Sequence, residues 1–312
     1  MGGDTCRVAV IDIGTNSARL LIAEVTGGRV TEVERRSRVT RLGRGVDLTG
    51  QLSVEAIEAA CEAIGDYVTT YQEAGVDTVN AIATSAVRDA SNGSAFIAEL
   101  RERFALSARV LDGEEEARLT YLGATSERPP AEPTLVVDIG GGSTELIVGA
   151  GAEISFHASL QAGVVRHTER HISSDPPTAV ELEALATDAR GLIEAAIAGH
   201  DAKPEARTGI AVAGTPTSLA AIEMELAPYD PERVHGHILS LPSIQRMFSR
   251  LASAPLAERT EIAGLHPDRA PTIVAGVVIL VETMRAFGLD SIEVSEHDIL
   301  YGTAIAAAAN CG

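Results

Sequence analysis

Two short stretches of this chain place a carboxylate, small residues and hydroxyls in the same order. Asp12-Ile13-Gly14 is followed by Ser17, and Asp138-Ile139-Gly140 is followed by Ser143. In each copy we expect a buried strand, a turn of small residues and a returning strand, with amides and hydroxyls near the turn that could hold an anion. A carboxylate cannot bind phosphate directly, so the pattern indicates a cation between the two. Two ordinary glycine-turn hairpins are the alternative, which the repetition disfavours.

Two local expectations follow from these turns. Gly140, Gly141 and Gly142 are free to take positive φ angles and would let the backbone approach a ligand closely. The hydroxyls of Thr15 and Thr144, like those of the two serines, are expected to point toward the anion.

Composition limits the class of protein. The 312 residues suffice for two domains, 45% of them are apolar, and no apolar run reaches the ~18 to 20 residues of a membrane span. The net charge of −19 argues against broad binding to nucleic acid or anionic membranes. Lys203 is the only lysine, which excludes a P-loop and a Schiff base at any other position. The N-terminus lacks a signal-peptide pattern, and three cysteines without metal-ligand spacing suggest a soluble, reduced, cytoplasmic protein.

The pattern of elements indicates a duplicated α/β fold. Strands near 7–12, 18–25 and 29–38 precede alternating helices and strands, including a helix capped by Ser53 and another from Glu114. A proline-rich linker at 127–133 is followed by a second series, in which a capping box begins a helix at Thr178, a strand at 208–213 ends in Gly214-Thr215 and a helix begins at Pro216. We therefore expect domains at 1–125 and 126–312, with a final helix from about 298 that could pack back on the first domain. A cleft between the two would bring the hairpins face to face.

Two further features have open interpretations. The arginines between Arg35 and Arg44 form the one dense basic segment, which could guide a polyanion or simply protect a strand edge from aggregation. His167 and His171 have the i,i+4 spacing of a helical metal site, but the sequence supplies neither an interposed glutamate nor a third ligand, so we assign them no role.

Several motifs of the chain together carry a resemblance. Paired Asp-Ile-Gly hairpins in duplicated ribonuclease-H-like domains resemble the actin, sugar-kinase and Hsp70 superfamily. More narrowly, the chain resembles the exopolyphosphatase and guanosine pentaphosphate phosphohydrolase family in its short form, without extra C-terminal helical domains. The stretches that carry this resemblance are DIGTNSARLLI, TSAVRDASN, DGEEEARLTYLG, VVDIGGGSTEL, AGTPTSLA and HGHILSL.

The resemblance implies roles for individual residues. Glu116 matches the catalytic base, although as one of three acidic residues at a helix start it could simply be favoured by the helix dipole. The helix start would lower its pKa, whereas phosphate anions placed nearby would raise it. Arg88 matches a phosphate-neutralising arginine, with a surface ion pair to Asp89 as the alternative. The implied metal ligands are Asp12, Asp138 and Glu145, and the implied phosphate-binding residues are Asn16, Ser17, Gly141, Gly142, Ser143, Gly214 and Thr215.

The implied activity is hydrolysis of the terminal phosphoanhydride of inorganic polyphosphate with Mg²⁺, or Mn²⁺, by a homodimer. Guanosine pentaphosphate, with guanosine tetraphosphate as its relative, is the nearest alternative substrate. A nucleotide-binding scaffold of the actin type and a sugar or acetate kinase are alternatives of other classes. Leu300 stands where the family has an arginine, close to Glu296 and Asp298, so we expect weak retention of long chains and a preference for short ones.

Overall fold

The computed structural model of the protein describes residues 5–127, 131–200, 204–309 and 311. The chain divides into two compact units: unit 1 takes residues 1–128 and 297–312, and unit 2 takes residues 129–296. Part of the linker expected at 127–133 lies outside the described residues, as does Lys203.

Unit 1 contains a five-stranded sheet in the order β3-β2-β1-β4-β5. The first three strands are antiparallel neighbours, whereas β4 and β5 run parallel to β1. The strands are β1 (Cys6–Ile13), β2 (Ser17–Thr26), β3 (Arg29–Val39), β4 (Thr78–Ala83) and β5 (Ala108–Val110). The helices are α1 (Val46–Thr49), α2 (Val54–Glu73), α3 (Ser85–Asp89), α4 (Gly93–Phe104), α5 (Gly113–Ala124) and, from the end of the chain, α13 (Ile299–Ala308).

Helices cover both faces of this sheet because its central strands are apolar on both sides. Alternate residues of β1 pack with α2 and α4 on one face, and the intervening residues pack with α13 on the other. Ser53 begins α2 as predicted, since its side chain accepts a hydrogen bond from the Ala56 amide. The core of unit 1 therefore fixes β1 as a rigid support for the turn that follows it.

Unit 2 repeats the arrangement with a six-stranded sheet in the order β10-β11-β9-β6-β7-β8. Its strands are β6 (Thr134–Ile139), β7 (Thr144–Ala150), β8 (Glu153–Leu160), β9 (Thr208–Val212), β10 (Ile238–Ser240) and β11 (Ser291–Val294). Its helices are α6 (Val164–His171), α7 (Ala179–Ala198), α8 (Gly214–Glu223), α9 (Pro231–Val234), α10 (Leu241–Ser253), α11 (Leu256–Arg259) and α12 (Ile273–Phe287).

The two units share one strand order. In each, the first strand is central, two antiparallel strands continue from it on one side, and two parallel strands reached through helices lie on the other. Unit 2 has one additional edge strand, β10, which is antiparallel to β11. This is the duplicated ribonuclease-H-like arrangement expected from the sequence, and the fold prediction is confirmed.

Several local predictions need correction. The eight-residue α6 and the three-residue strand β10 were not predicted. The helix after β9 begins at Gly214 rather than Pro216. The capping box at Thr178 and Glu181 is present as predicted. Among the described residues, no helix combines the length and the apolar run needed to cross a bilayer.

The cysteines also depart from the expectation of a fully reduced protein. Cys6 at the start of β1 and Cys311 after α13 form a disulfide, with their Cα atoms 6.2 Å apart. The pairing follows from the packing of α13 on β1, which brings residues from the two ends of the sequence together. Cys61 is a buried free thiol whose pKa burial raises to about 11.

Candidate active site

The turns that follow β1 and β6 are built alike. The Gly14 amide donates a 3.0 Å hydrogen bond to the Ser17 carbonyl, and the Gly140 amide donates a 3.0 Å bond to the Ser143 carbonyl. The glycine is needed because a Cβ would approach the serine carbonyl closely, to 3.1 Å in the case of Gly140. The repeated motif is therefore a repeated backbone geometry.

Two expectations about these turns are wrong. Positive φ angles occur at other glycines of the described chain, not at Gly140, Gly141 or Gly142. The threonine hydroxyls do not point toward a ligand site: Thr15 Oγ1 bonds Ser85 Oγ at 2.8 Å, and the Thr144 hydroxyl donates to the Ala162 carbonyl. Each hydroxyl instead forms a hydrogen bond with a residue of its own unit and so fixes the turn in place.

The carbonyl side of each turn is held by the protein. In the first turn, the Asn16 carbonyl accepts hydrogen bonds from the Thr40 and Arg41 amides. In the second, the Gly140 and Gly141 carbonyls accept from the first amides of α6, and Arg166 Nε donates to the Gly142 carbonyl at 2.8 Å.

The amide side of the turns has a different environment. In the described part of the chain, the amides of Thr15, Asn16, Gly141 and Gly142 donate to no protein acceptor. A run of amides with its carbonyls tied back is the arrangement that proteins use to bind anions. The predicted phosphate-binding residues Asn16, Ser17, Gly141, Gly142 and Ser143 thus occupy two turns with this property.

Asp12 is buried and lies in an ion-pair network that we did not predict. Arg19 stands directly opposite Asp12 in the β1–β2 pairing and bonds its Oδ2 at 2.8 Å through Nε. Arg19 also donates to Asp298, whose other oxygen accepts from the Leu300 amide. The Oδ1 atom of Asp12 is buried without a hydrogen-bond partner. Counting residues across the turn places Arg19 opposite Asp12, so the sequence did contain the signal.

The matching position in unit 2 carries a second carboxylate instead of an arginine. Glu145 on β7 is the direct partner of Asp138 on β6, and both are buried. Glu145 Oε1 accepts a 2.9 Å hydrogen bond from the Ser159 hydroxyl. Directly opposed like charges on a sheet repel each other, and a bound cation would relieve that repulsion.

Glu116 lies in the first turn of α5 and is 6% exposed. Arg88, in α3, donates through Nη1 to Glu116 Oε2 at 2.8 Å and to the Leu111 carbonyl at 2.8 Å. Its Nε is 4.0 Å from Asp89, so the ion pair offered as the alternative is the weaker of the two contacts. The structure thus joins two predicted site residues, Arg88 and Glu116.

The environment of Glu116 raises its pKa, and burial is the largest cause. Burial raises that pKa to about 7, while the hydrogen bond and charge of Arg88 lower it, and the nearby charges of Asp12 and Asp89 raise it. The helix dipole was expected to lower the value, but loss of hydration outweighs it at this buried position. A carboxylate with a pKa near neutrality is matched to work as a general base at physiological pH.

Gly214 and Thr215 occupy the first turn of α8 but do not form an open loop. The guanidinium of Arg269 lies where a side chain on residue 214 would be. Thr215 is buried, and its side chain packs against the backbone of Gly276 in α12. Arg269 was not singled out from the sequence, because it is far from Gly214 along the chain.

The basic segment is largely committed to ion pairs. Arg35 bonds Glu32 at 2.9 Å, Arg36 bonds Glu34 at 2.6 Å, and Arg38 bonds Asp66 at 2.7 Å. These arginines lie on β3, an edge strand, which agrees with a protective role for their charge.

Comparisons with known proteins identify the family of this chain. The model of the Ppx/GppA phosphatase family matches residues 21–304. This chain belongs to the Ppx/GppA phosphatase family. A protein named exopolyphosphatase 2, from Mycobacterium tuberculosis, is 37% identical to it over 97% of this chain and 98% of its own length.

Solved structures of this family have the same fold. The crystal structure of an exopolyphosphatase-like protein is 37% identical, has a TM-score of 0.91 and matches 97% of this chain and 98% of its own. The Aquifex aeolicus member of the Ppx/GppA family is 32% identical, with a TM-score of 0.83 and 98% coverage of both chains. Membership in the Ppx/GppA family confirms the resemblance drawn from the motifs and the expectation that the chain is a hydrolytic enzyme.

Proposed function

We propose that this Ppx/GppA protein is an exopolyphosphatase that hydrolyses the terminal phosphoanhydride of inorganic polyphosphate, with Glu116 as the general base. The observation that carries the proposal is the pair formed by Glu116 and Arg88. A carboxylate that is nearly fully buried, at the start of a helix and fixed by one arginine, has little structural purpose that a neutral side chain would not serve better.

In this mechanism Glu116 accepts the proton of the water that attacks the terminal phosphorus. Arg88 orients the carboxylate through its 2.8 Å hydrogen bond and keeps enough of it ionised near neutral pH. In unit 2, the amides of Gly141 and Gly142 and the Ser143 hydroxyl are the donors that we assign to phosphate oxygens. In unit 1, the corresponding donors are those of Asn16 and Ser17. Fixed donors of this kind stabilise charge without rearranging during the reaction.

The buried oxygens fit a magnesium ion. In unit 2, Asp138 and Glu145 present hard carboxylate oxygens, which Mg²⁺ prefers. In unit 1, the Oδ1 of Asp12 is a buried carboxylate oxygen without a hydrogen-bond partner. Once bound, Mg²⁺, or Mn²⁺ in its place, would neutralise charge on the phosphate oxygens. Asp12 keeps Arg19 on its other oxygen, so its contribution is the smaller one.

The substrate is tested by measuring phosphate release without any acceptor. Purified protein is given polyphosphates of defined length, guanosine pentaphosphate and ATP, each at equal concentration of terminal phosphate. The proposal predicts that polyphosphate gives the highest kcat/KM. A higher value with guanosine pentaphosphate would move the assignment to that substrate, and release from none of them would contradict hydrolysis altogether.

We also propose that short polyphosphate chains are preferred. The net charge is −19, the arginines Arg35, Arg36 and Arg38 are held by carboxylates, and Leu300 is buried in the core where the family pattern has an arginine. Few basic groups therefore remain to hold phosphates beyond the terminal ones. Gel analysis of a partly digested long chain should show intermediates of all lengths. Full-length substrate beside free phosphate alone would contradict the idea.

A further inference from the structure

Unit 2 contains a cluster of possible metal ligands that the proposed reaction does not use. His167 and His171 lie one turn apart on α6, and Asp188 of α7 lies beside both. The missing third ligand, for which the histidine pair was set aside, is thus supplied by a residue distant in sequence.

The distances are close to those of a tetrahedral metal site. Asp188 Oδ2 is 2.9 Å from His171 Nε2 and 3.6 Å from His167 Nε2. All the candidate ligand atoms lie within 4.8 Å of one another. Two ligands of a zinc ion at ordinary bond lengths are separated by about 3.3 Å, so small side-chain adjustments would suffice.

The environment of His167 is a second, independent observation that favours a bound ligand at this cluster. It is 0% exposed, and neither of its ring nitrogens has a hydrogen-bond partner. A buried imidazole without partners is costly in free energy, because it has lost its hydration without replacement.

We propose that His167, His171 and Asp188 bind one zinc-class divalent cation, with water completing the coordination. Two imidazoles and one carboxylate favour Zn²⁺, Co²⁺ or Ni²⁺ over Mg²⁺, which prefers oxygen ligands. The site is separate from the oxygen ligands of Asp138 and Glu145, and its occupation would join α6 to α7.

Helix α6 connects this metal site to the turn that is proposed to bind phosphate. The first amides of α6, at Val164 and Val165, bond the Gly140 and Gly141 carbonyls at 2.9 and 2.8 Å. A metal ion at the other end of the same short helix would limit its movement and so steady the turn. Binding is therefore expected to lower KM for substrate rather than to supply the chemistry.

Cobalt absorption and zinc competition test the proposal. Chelator-treated full-length protein, in excess Mg²⁺ to fill oxygen sites, is titrated with Co²⁺ and then with Zn²⁺. One equivalent with the visible spectrum of a tetrahedral or five-coordinate ion is expected. His171→Gln and Asp188→Asn should each weaken binding by about a hundredfold, an effect at least as large as loss of an outer-shell partner.

Matched variants separate this result from unspecific binding. His157→Gln and Glu194→Gln change an exposed histidine and an exposed carboxylate of unit 2 and should leave binding unchanged. Arg170 lies 3.4 Å from Asp188 and competes for its carboxylate, so Arg170→Gln should tighten binding by about two- to fivefold. Absence of a stoichiometric cobalt signal, or its survival in His171→Gln, would overturn the proposal.

Discussion

The two hairpin turns have the same backbone but opposed chemistry across their first strand pair. Asp12 faces Arg19 in unit 1, whereas Asp138 faces Glu145 in unit 2. Duplication has preserved the glycine-to-serine hydrogen bond that shapes each turn. The facing residue differs, so in unit 1 the protein itself neutralises the carboxylate, while in unit 2 two carboxylates favour an added cation.

Two turns with the same backbone geometry thus lie beside different sets of charged residues. Unit 1 holds the proposed base, because Glu116 and its partner Arg88 both belong to it. Unit 2 holds the acidic pair that fits a metal ion. We therefore expect variants in unit 2 to change the metal dependence of activity and variants in unit 1 to change its pH dependence.

The largest effect is expected for the acidic pair. Asp138→Asn and Glu145→Gln should each lower kcat by about a hundredfold or more and raise the Mg²⁺ concentration for half-maximal activity, because each removes a charged metal ligand. Asp12→Asn should lower kcat only roughly tenfold, because Arg19 already bonds one of the Asp12 oxygens. Magnesium titrations of phosphate release measure both quantities. Equal shifts for Asp12→Asn and Asp138→Asn would break the comparison, and full activity in excess chelator would exclude the metal altogether.

An intermediate effect is expected on the pH profile. The base must be ionised, so kcat/KM should fall as pH drops below about 7, the raised pKa of the buried Glu116 carboxyl. Arg88 lowers that pKa, whereas Asp12 and Asp89 raise it. Arg88→Gln should therefore move the acid limb of the profile to higher pH. A rise of about one unit in the Glu116 pKa would reduce activity at pH 7 by about fivefold. Arg118→Gln is the control, because it changes an exposed arginine on α5, the helix that carries Glu116. A uniform loss at every pH would assign Arg88 to phosphate binding rather than to the base.

The smallest effect is on stability. Because the pKa of Glu116 is raised from 4.5 to about 7 on folding, its favourable contribution is complete below pH 4.5 and is lost as pH rises through 7. Glu116→Gln does not titrate, so it should be more stable than the wild type by about 1–3 kcal/mol at pH 8 and similar to it at pH 5. Thermal unfolding at the two pH values provides the measurement. A variant that is less stable at pH 8 would show that burial does not penalise this carboxylate.

Local sequence signals predicted the fold well, because they act over short distances. The cap at Ser53 and the capping box at Thr178 are both recognisable within a few residues. The missed helix, α6, has a polar second half, and its start is fixed by the glycine carbonyls of a distant turn. Tertiary contact, rather than propensity, decides such an element.

The chemistry of the site was less predictable because it depends on burial and on distant partners. The motif identified Glu116, but the rise in its pKa comes from the packing around α5. Asp188 and Arg269 are far in sequence from the residues that they contact, so no spacing rule would have selected them. Arg19 is the exception, since the hairpin register was available from the turn length.

The most direct test of the account is single-turnover phosphate release by Glu116→Gln at pH 8 with polyphosphate and saturating Mg²⁺. The matched control is Glu114→Gln, which removes an exposed carboxylate from the same turn of α5. The account predicts a fall of about a hundredfold or more in Glu116→Gln with substrate binding retained, and no change in the control. Unchanged phosphate release in Glu116→Gln, or an equal loss in both variants, would contradict the assignment of Glu116 as the base.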